Sequence, residues 1–269
     1  MEGGFFVVTI ANNKKGRIMK TNEHDYYNAI ANWSFNDIDY ISISYTNWNY
    51  EEEIKRCIKK DSKVLDLGTA AGEKVLKYFP DCNLILGTDF SKNMIEAAQN
   101  NLVKSGRKNI IFRVMDNLKM DTPADYFDLV TARHTVISAS QIYKTLKKGG
   151  ILIVRGVDKL DCWALKKMFG YGQGFRDSIP ISLRDYEDII DAGFKDVELI
   201  PLHVIEYYKT KADLYALLTK VPILDDMSNK NGYERKEIRM DVFNKYVLEN
   251  TTDKGIKLIR RYYGIKARK

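Results

Sequence analysis

Three carboxylates in the first half of the chain are spaced as ligand-binding groups would be. Asp66 lies near the end of the apolar run 64–67, and Gly68 and Gly72 follow it directly. Glycines at such a turn let the backbone approach a ligand closely, and a helix that begins after the turn offers unpaired N–H groups. Because a carboxylate beside this turn would repel a pyrophosphate, we expect a ligand with cationic groups, such as an ammonium and a sulfonium.

The other two carboxylates also follow apolar runs. Asp89 ends the run 84–88 and lies 21 residues after Gly68, about where nucleotide-binding proteins place an acid that binds ribose hydroxyls. Asp116 comes after the run 110–114. Three acids after three successive runs are difficult to explain as helix caps or salt bridges.

A parallel sheet would position these residues. Apolar runs typical of buried parallel strands occur at 64–67, 84–88, 110–114, 127–131 and 151–154. Helical patterns lie between them at 73–79, 93–103 and 140–146. The succession of strand, glycine turn and helix is the first half of a nucleotide-binding βαβ unit, so the pattern predicts an α/β fold.

The glycine turn does not match the fingerprint of dinucleotide-binding proteins. Counting from Gly68, the second and third glycines of Gly-x-Gly-x-x-Gly fall on Ala70 and Glu73. A nicotinamide oxidoreductase is therefore disfavoured. Instead, Asp-x-Gly-x-x-x-Gly after an apolar strand resembles the first motif of class I S-adenosylmethionine (SAM)-dependent methyltransferases.

Later segments resemble the same family in order and spacing. Residues 89–98 are similar to its Asp-x-Ser-x-x-Met-x-x-x-Ala run, and 146–154 resemble its turn into the fifth strand. The resemblance covers roughly residues 65–155. It implies a Rossmann-like seven-stranded mixed sheet with strand seven antiparallel, helices on both faces and an added helical insertion. It also implies the cofactor SAM and the product S-adenosylhomocysteine.

The resemblance also implies which residues bind the cofactor. Asp66 lies near its ammonium, Asp89 binds the ribose hydroxyls and Asp116 the adenine edge, while Phe90 and Met94 pack on the adenine faces. The whole predicted set is Asp66, Gly68, Thr69, Ala70, Gly72, Asp89, Phe90, Met94, Asp116 and Asn117.

One position departs from the family pattern. Ala70, followed by Ala71, stands where the family has a glycine between the two outer ones. A methyl group there crowds the cofactor or requires an unfavourable backbone angle. A SAM-binding protein without transfer activity is therefore one alternative to an active methyltransferase.

Arg133 and His134 follow the fourth predicted strand and are the catalytic candidates. A neutral imidazole at His134 would take a proton from a hydroxyl or an amine, although a buried structural histidine is an equal alternative. Arg133 would instead orient an anionic substrate. Because methyl transfer from a sulfonium uses an activated donor, the protein mainly aligns the nucleophile and excludes water.

Absent motifs and bulk properties narrow the reaction. No two of the five prolines are adjacent, so the chain lacks the Asn/Asp-Pro-Pro-Tyr/Phe motif of the adenine amino-methyltransferases. No Pro-Cys follows the fourth strand, which disfavours cytosine C5 methylation. The three widely spaced cysteines suggest neither a disulfide frame nor a metal site. We expect an O or N nucleophile of a small molecule. The net charge of +7 keeps an RNA methyltransferase as an alternative.

The chain divides into four predicted parts. They are an aromatic-rich amino-terminal cap (1–50), the SAM-binding core (51–206), a helical insertion or lid (207–252) and a carboxyl-terminal strand (253–269). The cap aromatics fill the core or, at Tyr26, Tyr27 and Trp48, line the site. We expect the last strand at an exposed edge of the sheet. With no apolar run long enough for a bilayer, we expect a cytoplasmic protein without membrane contact.

Overall fold

A computed structural model describes residues 37–225 and 237–269. Tyr26, Tyr27 and most of the predicted cap lie outside the described residues. Within them, no helix combines the length and the apolar character that a membrane span requires.

A nine-stranded mixed sheet forms the centre of the molecule. Its strands are β1 (Tyr40–Ser44), β2 (Lys63–Leu67), β3 (Leu84–Asp89), β4 (Ile110–Val114), β5 (Phe127–Arg133), β6 (Leu146–Val157), β7 (Lys195–Tyr208), β8 (Thr251–Thr252) and β9 (Gly255–Arg268). The spatial order is β1-β7-β9-β6-β5-β2-β3-β4, with β8 paired to the start of β9. The five strands from β6 to β4 are parallel, whereas β9, β7 and β1 join by antiparallel pairing.

The predicted α/β fold with an antiparallel last strand is confirmed, with two differences. The sheet has nine strands instead of seven because β1 and β8 pair with β7 and β9. The last strand, β9, lies between β6 and β7, so the expectation of an exposed edge was wrong. Its interior place follows from its apolar residues, of which Leu258, Ile265 and Ala267 are buried.

Eight α-helices cover the described sheet. They are α1 (Tyr50–Cys57), α2 (Glu73–Tyr78), α3 (Lys92–Ser105), α4 (Ala139–Thr145), α5 (Trp163–Phe169), α6 (Ile181–Asp191), α7 (Lys211–Lys220) and α8 (Met240–Asn250). Helices α1, α2 and α3 pack on one face through Ile54, Val75 and Ile95. Helices α4 and α6 pack on the other face through Ile142 and Ile189. Because helices cover both faces of the sheet, the parallel strands are continuous apolar runs.

The antiparallel pair β7–β9 continues beyond the end of β6. Val157, the last residue of β6, pairs with Tyr262, but β9 and β7 stay paired as far as Ile256 and Tyr208. These six further residues, 256–261, extend about 20 Å past the carboxyl ends of the parallel strands. A separate apolar cluster packs α5, α7 and α8 against this extension. The extension therefore forms a wall beside the edge at which ligands bind in open α/β sheets.

Candidate active site

The turn after β2 requires glycine at two positions. Gly68 and Gly72 have φ angles of +71° and +78°, in the left-handed region. A Cβ atom would lie 2.7 Å from Cβ of Thr135 at Gly68, and 2.6 Å from the ring of Phe112 at Gly72. Both the backbone and its close neighbours therefore exclude larger residues at these two predicted cofactor-binding positions.

Ala70 adopts the conformation that its position in the turn demands. Its φ angle is +49°, a region that costs a residue with a Cβ roughly 1–2 kcal/mol. The backbone N–H of Ala70 donates to Oδ2 of Asp89 over 3.0 Å, and the N–H of Thr69 donates to the carbonyl of Thr88 over 2.9 Å. Hydrogen bonds that the turn donates to β3 thus hold the strained turn.

Asp89 connects the glycine turn to the start of α3. Besides the bond from Ala70, its Oδ1 accepts from the N–H of Ser91 over 2.9 Å. Burial raises the pKa of Asp89, and the backbone hydrogen bonds oppose that effect. A carboxylate has about four acceptor positions, so those not used by the backbone remain for a ligand with hydroxyl groups.

Asp66 lies on the same face of the sheet as Thr131 of β5. The Thr131 hydroxyl donates to its Oδ1 over 2.6 Å. Asp66 is only 7% exposed, and burial raises its pKa to about 6. The buried ring of Tyr50 is close enough for the charge of Asp66 to help raise the tyrosine pKa, after burial itself. Because burial disfavours its charge, this carboxylate would gain from a cationic ligand.

Asp116 and Asn117 follow β4, as predicted. Oδ1 of Asp116 accepts from the N–H of Leu118 over 2.8 Å, and Nδ2 of Asn117 donates to Oγ1 of Thr135 over 3.0 Å. Oδ1 of Asn117 is buried and has no hydrogen-bond partner in residues 37–225 and 237–269. Leaving such an acceptor unpaired costs about 1–3 kcal/mol, so the position suits a ligand with an N–H donor.

Phe90 directly follows β3, and Met94 lies in the first turn of α3. Phe90 is partly buried, and Met94 of α3 is buried in the structure as it stands. The residues predicted to bind the cofactor therefore surround the carboxyl ends of three neighbouring strands. Their chemistry fits SAM, because the carboxylates suit an ammonium and ribose hydroxyls and the unpaired oxygen of Asn117 suits an amino group.

His134 directly follows β5, has a left-handed backbone with φ of +52°, and is exposed. Its Nε2 contacts Nη1 of Arg155, and its ring stacks on Tyr262 with ring centres 5.4 Å apart. Solvent reaches the ring, but the surrounding protein and the charges of Arg133 and Arg155 lower its pKa well below the usual value. The imidazole is therefore neutral at neutral pH.

Sequence reasoning missed Arg155 and Tyr262. The guanidinium carbon of Arg155 lies 4.1 Å from the centre of the Tyr262 ring, a cation–π contact. Arg155 directly follows the apolar run 151–154 of β6, so its sequence context indicates only a further strand residue. Only the strand order shows that Arg155 lies beside Arg133 on the neighbouring strand, and the sequence alone does not reveal that order.

Metal ligation has no visible basis in the part of the chain that the structure describes. No group of three or more His, Cys, Asp or Glu side chains there could hold a metal ion. Cys82 and Cys162 are buried, and burial raises the pKa of both thiols.

Comparisons with known proteins identify the family of the chain. A family model described as a methyltransferase domain matches residues 58–218. The chain is 28% identical over 90 residues to the uncharacterized methyltransferase YcgJ of Bacillus subtilis, and 28% identical over 160 residues to a phosphoethanolamine N-methyltransferase of Plasmodium falciparum. These matches cover 34% and 52% of this chain, and only 36% and 56% of the two relatives.

Solved structures show the same fold. The structure of YcgJ has a TM-score of 0.52 at 17% identity and covers 81% of this chain and 96% of its own. The [4+2]-cyclase SpnF has a TM-score of 0.50 at 17% identity, over 81% and 80% of the two chains. Because the family model matches more than half of the chain, this protein belongs to the methyltransferase-domain family.

Proposed function

We propose that this chain transfers a methyl group from SAM to an O or N nucleophile of a small molecule and releases S-adenosylhomocysteine. One observation carries the proposal. Asp89 holds the glycine turn and the start of α3 together, beside the buried carboxylate of Asp66 and the unpaired Oδ1 of Asn117. These acceptor groups match the ammonium, hydroxyl and amino donors of SAM.

Each residue of the site has a defined task in this proposal. Asp66 holds the ammonium, Asp89 accepts from the ribose hydroxyls, and Asn117 accepts from the adenine amino group. When bound, the cofactor supplies a methyl group that is already activated. The remaining work of the protein is to align the acceptor and to exclude water.

The acceptor side offers two roles at the end of β5. His134 is a candidate proton acceptor, and Arg133 is a candidate for orienting an anionic acceptor. The contact of Nε2 with Arg155 and the lowered pKa of His134 both weaken it as a base, so the geometry supports the orienting role more strongly. An amine acceptor that binds in its neutral form needs no strong base.

Labelled SAM provides the test of transfer. We expect the purified full chain to move a radiolabelled methyl group to a component of a small-metabolite pool, with phosphoethanolamine and other amines tried first because of the Plasmodium falciparum relative. Transfer to total RNA alone, with salt-sensitive RNA binding, would instead support the RNA alternative that the net charge raised.

A SAM-binding protein with no transfer activity is the second candidate, and Ala70 favours it. Its methyl group stands on a left-handed backbone inside the turn that would face the cofactor. The fold neighbour named as a cyclase shows that this fold alone does not determine the reaction. Under this candidate, SAM binds but no acceptor pool yields S-adenosylhomocysteine.

A further inference from the structure

Two arginines lie side by side at the carboxyl edge of the sheet. Arg133 ends β5 and is the register partner of Arg155 on β6. Adjacent parallel strands are about 4.8 Å apart, and residues at paired positions project to the same face. Arg133 also shares its face with Thr131, two residues earlier, which bonds to Asp66 of the proposed cofactor site.

These arginines differ from a third arginine in the same region. Arg260 is buried and forms ion pairs with Asp161 at 2.9 Å and with Glu206 at 3.1 Å. Within residues 37–225 and 237–269, neither Arg133 nor Arg155 lies within ion-pair distance of a carboxylate. The fold thus pairs the charge of Arg260 directly, whereas the other two arginines have only longer-range attraction, Arg133 to Asp66 and Arg155 to Glu51.

The neighbours of the two arginines hold them in place without using up their donors. Tyr262 supports the guanidinium of Arg155 from below, and the ring of His134 meets its Nη1. Nε of Arg133 is buried and has no partner among the described residues. A guanidinium carries five N–H donors in a fixed planar arrangement, so most of these donors remain for a ligand.

The pair also carries an electrostatic cost that a ligand would remove. Burial lowers the pKa of Arg155, and the charge of Arg133 lowers it further. Two like charges held next to each other destabilise the free protein, whereas an anion between them gains two charge-assisted hydrogen-bonding partners.

We infer that Arg133 and Arg155 bind an anionic group, a phosphate or a carboxylate, of the methyl acceptor. This inference rests on the proposed function, because it assigns the pair to the acceptor and not to the cofactor. It narrows the substrate class to small molecules that carry an anionic group within reach of the nucleophilic atom.

The test separates the acceptor from the cofactor, whose methionine carboxylate is the competing anion. Inorganic phosphate and acetate are titrated by calorimetry, at constant ionic strength, into the full chain saturated with S-adenosylhomocysteine. The variants are Arg155→Met and, as a control for net charge, Arg56→Met. Arg56 is an exposed arginine in the last turn of α1.

We expect one of the two anions to bind the wild-type complex, which identifies the acceptor group as phosphate or carboxylate. Arg155→Met should weaken that binding by about tenfold, the scale of one charged hydrogen-bonding partner, and Arg56→Met should leave it unchanged. The affinity for SAM should change less than twofold in both variants.

Two results would overturn the inference. In the first, neither anion binds the wild-type complex. In the second, Arg155→Met weakens SAM binding tenfold while anion binding stays the same, which assigns the arginines to the cofactor carboxylate. If the wild type binds no SAM at all, the proposed function fails, and an anion titration without cofactor still reports on the arginine pair.

Discussion

The two halves of the carboxyl edge are built in different ways. The half that we propose for the cofactor (the cofactor half), at the ends of β2, β3 and β4, consists of acids, amides and a glycine turn within residues 66–117. The half that we propose for the acceptor (the acceptor half), at the ends of β5 and β6 and beside the middle of β9, consists of arginines, a histidine and a tyrosine. Its residues are far apart in sequence, since Arg133, Arg155 and Tyr262 come from three separate strands.

This difference shows how each half is stabilised. In the cofactor half, Asp89 bonds to Ser91 and Asp116 bonds to Leu118, two residues further along the chain. Local geometry therefore forms much of the site. In the acceptor half, the contacts of Arg155 with His134 and Tyr262 exist only after β5, β6 and β9 have paired. Substitutions in the two halves should consequently have different effects.

The largest effect is expected in the cofactor half, at Gly72. Gly72→Ala imposes a left-handed backbone on alanine and drives a methyl group into the ring of Phe112, so we expect a loss of about 2–5 kcal/mol in the free energy of unfolding. Urea denaturation measures this loss.

Gly106 provides the matched control. It has φ of +70° at the end of α3, but a Cβ atom there would meet no other atom within 4 Å. Gly106→Ala should therefore cost only about 1 kcal/mol. Equal losses in the two variants would show that the packing of the turn against Phe112 contributes nothing.

Asp66→Asn should change stability and ligand binding in opposite directions. The folded pKa of about 6 lies above the value of 3.8 for an unperturbed aspartate, so the folded state binds the proton more tightly. The stabilisation that this proton contributes is fully present below about pH 4 and is lost as the pH rises through 6. The loss amounts to up to about 3 kcal/mol at pH 7. The variant should be more stable than the wild type at pH 7.

The same variant should bind SAM at least tenfold more weakly, because it lacks the charge that would pair with the ammonium. In the wild type, SAM affinity should rise between pH 5 and pH 7 as Asp66 ionises. Thermal unfolding and calorimetry at several pH values measure both effects, with Asp81→Asn as the exposed control. A variant that is less stable at pH 7 and binds SAM normally would contradict this role.

His134→Asn tests the acceptor half. Asparagine tolerates a left-handed backbone, so the substitution removes the imidazole with little added strain. We expect a loss of about tenfold in kcat/KM, because the ring supports Arg155 and is a weak base. A loss of 10²-fold or more, with a changed pH profile, would identify His134 as the general base.

Ala70→Gly should have the smallest effect. Glycine removes the strain of φ +49°, and we expect the free energy of unfolding to rise by about 1 kcal/mol. SAM affinity should stay the same or increase. A variant that gains methyl transfer absent from the wild type would show that Ala70 blocks the reaction.

The cofactor half and the parallel strands were predictable because their signals are local. Apolar runs, glycines and acids at fixed distances place Asp66 and Asp89 at the strand ends without knowledge of the strand order. The family resemblance implied the cofactor, and the family match confirms that the chain belongs to the methyltransferase-domain family. The sequence predicts that Ala70 either crowds the cofactor or requires an unfavourable backbone angle, and the structure shows the left-handed backbone.

The acceptor half was only partly predictable because it depends on strand order. Arg133 and His134 stood out as polar residues at a strand end, whereas Arg155 continues an apolar strand. The sequence of β9 shows basic residues and no sign that Arg260 meets Asp161 in the interior. Likewise, β1 is mostly exposed, and its pairing with β7 determines its conformation more than its own pattern does.

A calorimetric titration with SAM and NAD tests the central claim most directly. The wild type should bind SAM and not NAD, and Asp89→Ala should lose SAM binding. Ser91→Ala, which removes the N-cap side chain of α3 but keeps Asp89, should retain it. Binding of NAD without SAM would contradict the account, as would undiminished SAM affinity in a folded Asp89→Ala variant.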